Sequence, residues 1–183
     1  MEVKLDLKNL DKYTKRMKAD LDKHYAKVGV LSAKNNRDND DDSGMTNAKL
    51  AAVHEFGSRD GRIPERSFFR LTYEERGEDM SAFIESNELA ILKKVMSGKT
   101  KDVYKQLGAK WVSFINECFE TEGFGKWAPL SEATLEARLA KTPTGLRYNK
   151  KTDEMVQSRA QEFNPKILQD TGQLERSIMY EVV

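Results

Sequence analysis

VYKQLGAKWVSFINECF, residues 103–119, is the stretch that decides the fold, because its helical pattern is the longest and most regular in the chain. Its apolar side chains recur at i, i+4, i+8, i+11, i+12, i+15 and i+16, which places them on one face of an α-helix. They are Val103, Leu107, Trp111, Phe114, Ile115, Cys118 and Phe119. The pattern predicts a long core helix that ends near Gly123.

A second helical stripe precedes this helix and ends at Gly98; its members are Met80, Phe83, Ile84, Asn87, Ile91, Lys94 and Val95. Strand patterns flank the helices. Residues 2–8 and 178–183 alternate between apolar and polar side chains, and residues 27–31, KVGVL, are also typical of a strand. Strands therefore lie at N-terminal, middle and C-terminal positions without sustained βαβ alternation. We expect an α+β fold, in which a small antiparallel or mixed sheet is covered by two long helices.

Capping residues predict shorter helices elsewhere. Asp11 is placed to cap a first helix, Thr46 a short helix through Phe56, and Ser131 a helix to about Leu139. Two polar stretches interrupt the pattern: residues 33–45 predict a mobile acidic loop, and residues 141–165 predict a long loop, an extended hairpin or an arm. Residues 1–183 are expected to form a single domain with these loops attached.

Composition limits the function classes. Lys plus Arg (31) nearly cancels Asp plus Glu (30), whereas a protein that lives on a phosphate backbone normally has a basic excess. The single cysteine, Cys118, excludes a disulfide framework within the chain and fits a reducing compartment. No apolar run approaches the roughly 18 residues that span a bilayer, and the N-terminus lacks the apolar core of a signal peptide. We therefore expect a protein made in the cytoplasm, without a membrane partner.

Metal and catalytic motifs are incomplete. His54-Glu55 resembles half of the zinc-protease motif H-E-x-x-H, but the second histidine position holds Ser58. The acidic run at 38–42 resembles the start of a calcium loop, but Ser43 and Lys49 occupy the positions that need Gly and Glu. No phosphate-binding glycine motif is present. We expect no catalytic, cofactor or metal site, and His54 is expected either to pack within the fold or to contact a neighbouring subunit.

Arg59, Arg62, Arg66 and Arg70 form a cluster interleaved with Phe68 and Phe69. Arginine and aromatic residues together are typical of protein interfaces and of nucleic-acid-binding surfaces. Near-zero net charge and the carboxylates nearby favour a protein interface. A nucleic-acid-binding module that uses this cluster remains an alternative, as does core packing of the two phenylalanines with solvated arginines outside.

Three stretches of the chain resemble a known family. LAAVHEFG at 50–57 with IPERSFF at 63–69 resembles A-x-x-H-E-F-G followed by I-P-x-R-x-F; FGKWAPLS at 124–131 with Thr134 resembles W-x-P-L-S-x-x-T; and ILQDTGQL at 167–174 with Ser177 resembles I-L-x-D-T-G-x-L-x-x-S-I. These signatures belong to tailed-bacteriophage virion morphogenesis proteins. The family includes the G protein of phage Mu, and its members are also called tail completion, neck or head–tail joining proteins.

The resemblance implies a non-enzymatic virion protein that assembles as a ring, expected to be six-fold, at the neck or tail terminus. Its partners would be copies of itself and neighbouring neck, head-completion or tail-tube proteins, with DNA passing only transiently through the lumen. Loops 33–45 and 141–165 would be arms that order on assembly. The interface candidates are His54, Glu55, Phe56, Arg62, Pro64, Arg66, Phe68, Phe69, Trp127, Pro129, Asp170, Gly172 and Leu174. A virion-associated hydrolase with a carboxylate site is a further, weaker alternative.

Overall fold

The computed structural model describes residues 7–36, 44–141, 146–149, 154–157, 165–169 and 171–183. The helices are α1 (Leu7–Leu21), α2 (Asn47–Phe56), α3 (Phe69–Ser86), α4 (Glu88–Met96), α5 (Thr100–Glu120), α6 (Glu132–Lys141) and α7 (Gln173–Ser177), and a 3₁₀ turn covers Ser32–Lys34. The strands are β1 (Ala26–Val30), β2 (Leu146–Asn149), β3 (Glu154–Gln157) and β4 (Ile178–Val182). This arrangement confirms the α+β class.

The central sheet of the described residues has two strands, not three. β1 and β4 pair antiparallel, with Val28 opposite Tyr180 and Val30 opposite Ile178. The strand predicted over residues 2–8 falls on residues 2–6, which lie outside the described residues, and on Leu7 and Lys8, which lie in α1. Because α1 begins four residues before Asp11, the prediction that this residue caps the helix is wrong.

The prediction of two long helices over the sheet is only partly met. Residues 103–119 lie in α5, which packs against both strands and approaches β4 so closely that a Cβ on Gly108 would lie 2.8 Å from the Tyr180 ring. The stripe from Met80 to Val95 does not lie on one helix. It is divided at Asn87, which leaves helical geometry with φ −110° and ψ 9° and donates from Nδ2 to the Phe83 carbonyl at 2.8 Å. A side chain that bonds the backbone of the preceding turn competes with helix continuation, which explains the break.

The predicted capping of α2 by Thr46 and of α6 by Ser131 is confirmed. Thr46 Oγ1 accepts from the Lys49 amide at 3.2 Å to start α2, and Gly57 ends it with φ +74°. Ser131 Oγ accepts from the Thr134 amide at 3.3 Å ahead of α6. Within 141–165, β2 and β3 form an antiparallel hairpin, while 142–145, 150–153 and 158–164 lie outside the described residues. Residues 37–43 of the predicted acidic loop lie outside them as well.

The core lies where α5, the start of α3 and the two-stranded sheet meet. Its buried members are Ala51, Phe68, Ile115, Cys118, Phe119, Trp127, Ile167, Leu174 and Ile178. Each of the three family-like stretches contributes to this cluster. Segments far apart in the sequence therefore share one core, and hydrogen bonds join the first two stretches just before the N-terminus of α3.

Candidate functional site

The three family-like stretches converge on one site, which we call the motif junction. It consists of the end of α2 with the loop that leads into α3 (residues 54–70), the turn from 123 to 131, and residues 167–169 and 171–174. The first stretch supplies a carboxylate and an arginine, the second a tryptophan and two carbonyl oxygens, and the third apolar side chains. Hydrogen bonds and core contacts join the three.

Glu55 caps the N-terminus of α3 from the last turn of α2. Its carboxylate accepts from the Ser67 hydroxyl at 2.6 Å and from the amides of Phe68, Phe69 and Arg70 at 2.9, 3.0 and 2.9 Å. The first N–H groups of a helix have no intrahelical partner and attract negative charge. The Glu55 side chain therefore accepts the hydrogen bonds that an N-cap residue of α3 would otherwise accept.

The Glu55 carboxylate lies in a buried position, because the residue is only 7% exposed. Burial on its own would raise the pKa of Glu55, but the hydrogen bonds from Ser67 and from the amides of Phe69, Arg70 and Phe68 stabilise the charged form and hold the pKa below its ordinary value. The carboxylate is fully occupied by these donors. These contacts are those of a helix cap.

Arg66 joins the first stretch to the second. Its Nε donates to the Ala128 carbonyl at 3.0 Å and its Nη2 to the Pro129 carbonyl at 2.9 Å, while its own amide donates to the His54 carbonyl at 2.8 Å. Burial, and then the positive charge of Arg138, lower the pKa of Arg66 from its ordinary value. The guanidinium fork thus holds two carbonyls of a proline-containing turn in a buried position.

Trp127 closes the junction from the other side. Its indole N–H donates to the Ser67 carbonyl at 2.9 Å, and its ring lies edge-on to Phe119 with centroids 5.6 Å apart. The turn that delivers it contains Gly123 at φ +72°, where a Cβ would lie 2.2 Å from the Trp127 ring. Only glycine fits there, because both the backbone conformation and the space exclude a side chain.

A groove of about 540 Å³ runs beside the junction. Its lining comes from all three stretches: Leu50, His54, Arg62, Ile63, Pro64, Arg66, Pro129, Leu130, Ser131, Thr134, Arg138, Leu168, Thr171, Gln173 and Leu174. Across the described ranges, no group of three or more His, Cys, Asp or Glu residues could hold a metal ion. The buried Cys118 is no activated nucleophile, because burial raises the pKa of its thiol to about 11.

The structure divides the predicted interface residues into three groups. Glu55, Arg66, Phe68, Trp127 and Leu174 are buried within the chain. Phe56, Arg62 and Pro64 are exposed, as is Pro129, and His54, Phe69 and Gly172 are half-buried. Asp170 lies outside the described residues. The sequence did not predict which candidates are buried and which are exposed. A motif contains core residues and surface residues alike and does not distinguish them.

Three of the four arginines in the cluster make contacts within the chain, and the fourth, Arg59, is exposed. Arg66 is buried, Arg62 pairs with Asp60 at 3.2 Å, and Arg70 pairs with Glu65 and lies 3.9 Å from Glu74. Phe68 belongs to the core, with its ring 5.0 Å from that of Phe119. The core-packing interpretation is therefore correct for Phe68.

Sequence reasoning missed two residues that the junction needs. Ser67 donates to Glu55 and accepts the Leu71 amide at 3.3 Å, and Gly123 makes room for the indole of Trp127. The signal for Gly123 was present in the alternation Gly123-Phe124-Gly125, which marks positive φ in a tight turn. For Ser67 there was no signal, because its partner lies 12 residues earlier in the chain.

No protein-family model, curated protein or solved structure matches this chain. Among the described residues, no helix is long and apolar enough to cross a bilayer. The motif junction and the exposed surfaces are therefore the evidence for the class of protein.

Proposed function

We propose that this protein is a structural subunit without enzymatic activity, whose surface serves to assemble a larger particle. More specifically, we infer a tailed-bacteriophage virion protein that acts in tail completion or head–tail joining. It would assemble as a ring, six-fold by the resemblance, at the neck or tail terminus, inside the host cytoplasm. Its neighbours would be neck, head-completion or tail-tube proteins.

The observation that carries the proposal is the convergence of the three family-like stretches on one junction. Arg66 lies 62 residues before Ala128 in the chain, yet the two are joined by a hydrogen bond, and Trp127 is bonded to Ser67. Residues that contact one another in this way form a structural unit. This is what a signature shared by subunits of one architecture would encode, and it supports the proposal.

The chemistry of the junction favours a structural role over a catalytic one. Glu55 is occupied by four donors, and Arg66 is occupied by two carbonyls. A hydrolytic site would need a carboxylate that reaches substrate with a pKa suited to proton transfer. Among the described residues, the motif carboxylate has the opposite properties, and we therefore rank the virion-associated hydrolase last.

The nucleic-acid alternative is weaker for a related reason. Phosphate binding by the arginine cluster requires guanidinium groups that can leave their present partners. Arg66 is buried, and Arg62 and Arg70 already pair with carboxylates. We therefore propose that DNA is only a transient occupant of a ring lumen, without a dedicated site on this cluster.

Light scattering coupled to size-exclusion chromatography, over a wide range of protein concentration, tests the proposal. We expect a ring whose mass is a whole multiple of the 20.9 kDa chain, six-fold by the resemblance, and a closed ring in negative-stain images. Incubation with purified phage tails or heads should add that ring to one end. A chain that stays monomeric at every concentration and joins neither particle would overturn the proposed function.

A further inference from the structure

An open groove with acidic walls lies along the outer face of α3. Its volume is about 620 Å³, and it carries Glu74, Glu78 and Glu85, which recur on one face of the helix. None of the described residues that line this groove is a lysine, arginine or histidine. We call this surface the acidic groove.

The floor of the acidic groove is apolar. Tyr73 is 69% exposed, and its ring stacks on Trp111 of α5 with centroids 6.0 Å apart and an interplanar angle of 19°. Gly77 lies between the carboxylates, and a Cβ at that position would meet no atom within 4 Å, so the floor is open at this point. An apolar floor with a charged rim is the usual anatomy of a protein interface.

A second surface with the opposite charge lies on α4. Leu89, Leu92 and Met96 recur at i, i+3 and i+7 and are 72%, 40% and 68% exposed. Lys93 lies on the same face, and Lys99 follows just beyond the helix. Neither lysine has a carboxylate within ion-pair distance among the described residues. We call this surface the basic ridge.

The basic ridge continues toward α1. A cleft of about 380 Å³ between α1 and α4 is lined by Met96 together with Arg16 and Lys23. The one carboxylate in that lining, Asp20, already accepts a hydrogen bond from the Thr100 hydroxyl. Positive charge therefore borders the exposed apolar residues on more than one side.

We propose that the basic ridge of one copy of this chain binds in the acidic groove of the next copy. Apolar side chains would meet the aromatic floor, and lysines would meet the glutamates of the rim. The inference rests on the proposed ring and identifies its subunit interface. A ring needs two unlike surfaces on each subunit, so that every contact is head-to-tail and the rotation closes. The groove and the ridge satisfy that requirement with complementary charge.

Charge exchange between the two surfaces tests the pairing. Glu78→Lys with Glu85→Lys in the groove, or Lys93→Glu with Lys99→Glu on the ridge, should each weaken assembly about tenfold or more, because like charges then face each other. The chain that carries all four substitutions should assemble again. Glu132→Lys with Glu136→Lys on α6 makes the same change in charge as the groove variant, at exposed positions elsewhere, and should leave assembly unaltered.

Mixing two defective variants tests the head-to-tail geometry. Gly77→Phe fills the groove, and Leu89→Ser with Met96→Ser removes the apolar side chains of the ridge, so neither variant should form rings alone. An equimolar mixture retains one intact groove and one intact ridge, and should therefore stop at a dimer of twice the 20.9 kDa chain mass. Thermal unfolding that matches the unaltered chain, measured at a concentration below assembly, will show that the fold of each variant is intact.

The outcomes separate the inference from the proposed function. If the unaltered chain forms rings and all these variants also form rings, the groove and ridge are not the interface, although the ring stands. If the mixture of defective variants stays monomeric, the contact is not head-to-tail between these surfaces. If the variants assemble normally but fail to join heads or tails, the surfaces bind another virion protein and the inference fails. An unaltered chain that never assembles overturns the proposed function itself.

Discussion

The motif junction and the α3–α4 surfaces both carry many charges, but they use them differently. At the junction, Glu55 and Arg66 are buried and every contact described for them is within the chain. On the acidic groove and the basic ridge, Glu78 and Lys93 are exposed, and neither has a partner within ion-pair distance among the described residues. A buried charge must be satisfied inside the subunit, whereas an exposed one remains available to a neighbour.

The family-like stretches therefore bear on the fold of the subunit and not on its α3–α4 surfaces. The family-like stretches supply the junction, which determines how α2, α3 and α5 meet. No family-like stretch includes any residue of α4. Of the residues of α3, only the first, Phe69, lies within a family-like stretch. Substitutions at the junction should therefore change the stability of the subunit, and substitutions on the two surfaces should change its association. The predictions below test that division, from the largest expected effect to the smallest.

Replacing the Glu55 carboxylate should have the largest effect on stability. Glu55→Ala leaves the first amides of α3 and the Ser67 hydroxyl without their acceptor in a buried site, and should lower the free energy of unfolding by about 4 kcal/mol. Glu55→Gln keeps one acceptor oxygen and should cost about 2 kcal/mol. Urea unfolding followed by circular dichroism measures both. Glu136→Gln, an exposed control on α6, should change stability by less than about 0.5 kcal/mol.

Replacing Arg66 should have the next largest effect on the stability of the subunit. Arg66→Ala removes two hydrogen bonds to the Ala128 and Pro129 carbonyls and leaves a cavity, and should cost about 3 kcal/mol in the same unfolding experiment. Arg66→Lys restores the charge but not the fork that reaches both carbonyls, so it should recover only part of the loss. Full recovery by lysine would mean that charge, and not geometry, is what the junction needs.

The two glycines of the 123–125 turn make a matched pair. Both have positive φ, at +72° and +75°, but a Cβ on Gly123 would collide with Trp127, whereas one on Gly125 would meet nothing within 4 Å. Gly125→Ala should cost about 1 kcal/mol from backbone strain alone, and Gly123→Ala about 2–3 kcal/mol with a shifted tryptophan emission. Equal costs for the two substitutions would contradict the packing of the indole described here.

Acid should weaken the junction through Glu55. Its pKa is lower in the folded chain than its ordinary value of 4.5, so the unfolded chain binds the proton first as the pH falls. The stabilisation is complete above pH 4.5 and is lost progressively as the pH falls from there through the folded pKa. The pH dependence of the urea midpoint over this range should therefore be shallower in Glu55→Gln than in the unaltered chain.

The sequence predicted where several helices lie, but not which residues join them. Periodicity located α5, and capping chemistry placed the starts of α2 and α6, because these depend on residues a few positions apart. The break at Asn87 was missed because the apolar stripe continues through it with little change of phase. The capping of α3 by Glu55 could not be predicted, since the acceptor lies on a different helix from the amides it serves.

Substitutions on the α3–α4 surfaces should have the smallest effect on the subunit. Glu78→Lys and Lys93→Glu alter exposed side chains, and each should change the free energy of unfolding of the monomer by less than about 0.5 kcal/mol. Unfolding must be measured at a concentration below assembly, because association would add its own stabilisation to any chain that forms rings. Above that concentration, only the unaltered chain should gain stability as it is concentrated. A monomer destabilised by either substitution would mean that these charges, like Glu55 and Arg66, serve the fold, and the contrast between the two regions would disappear.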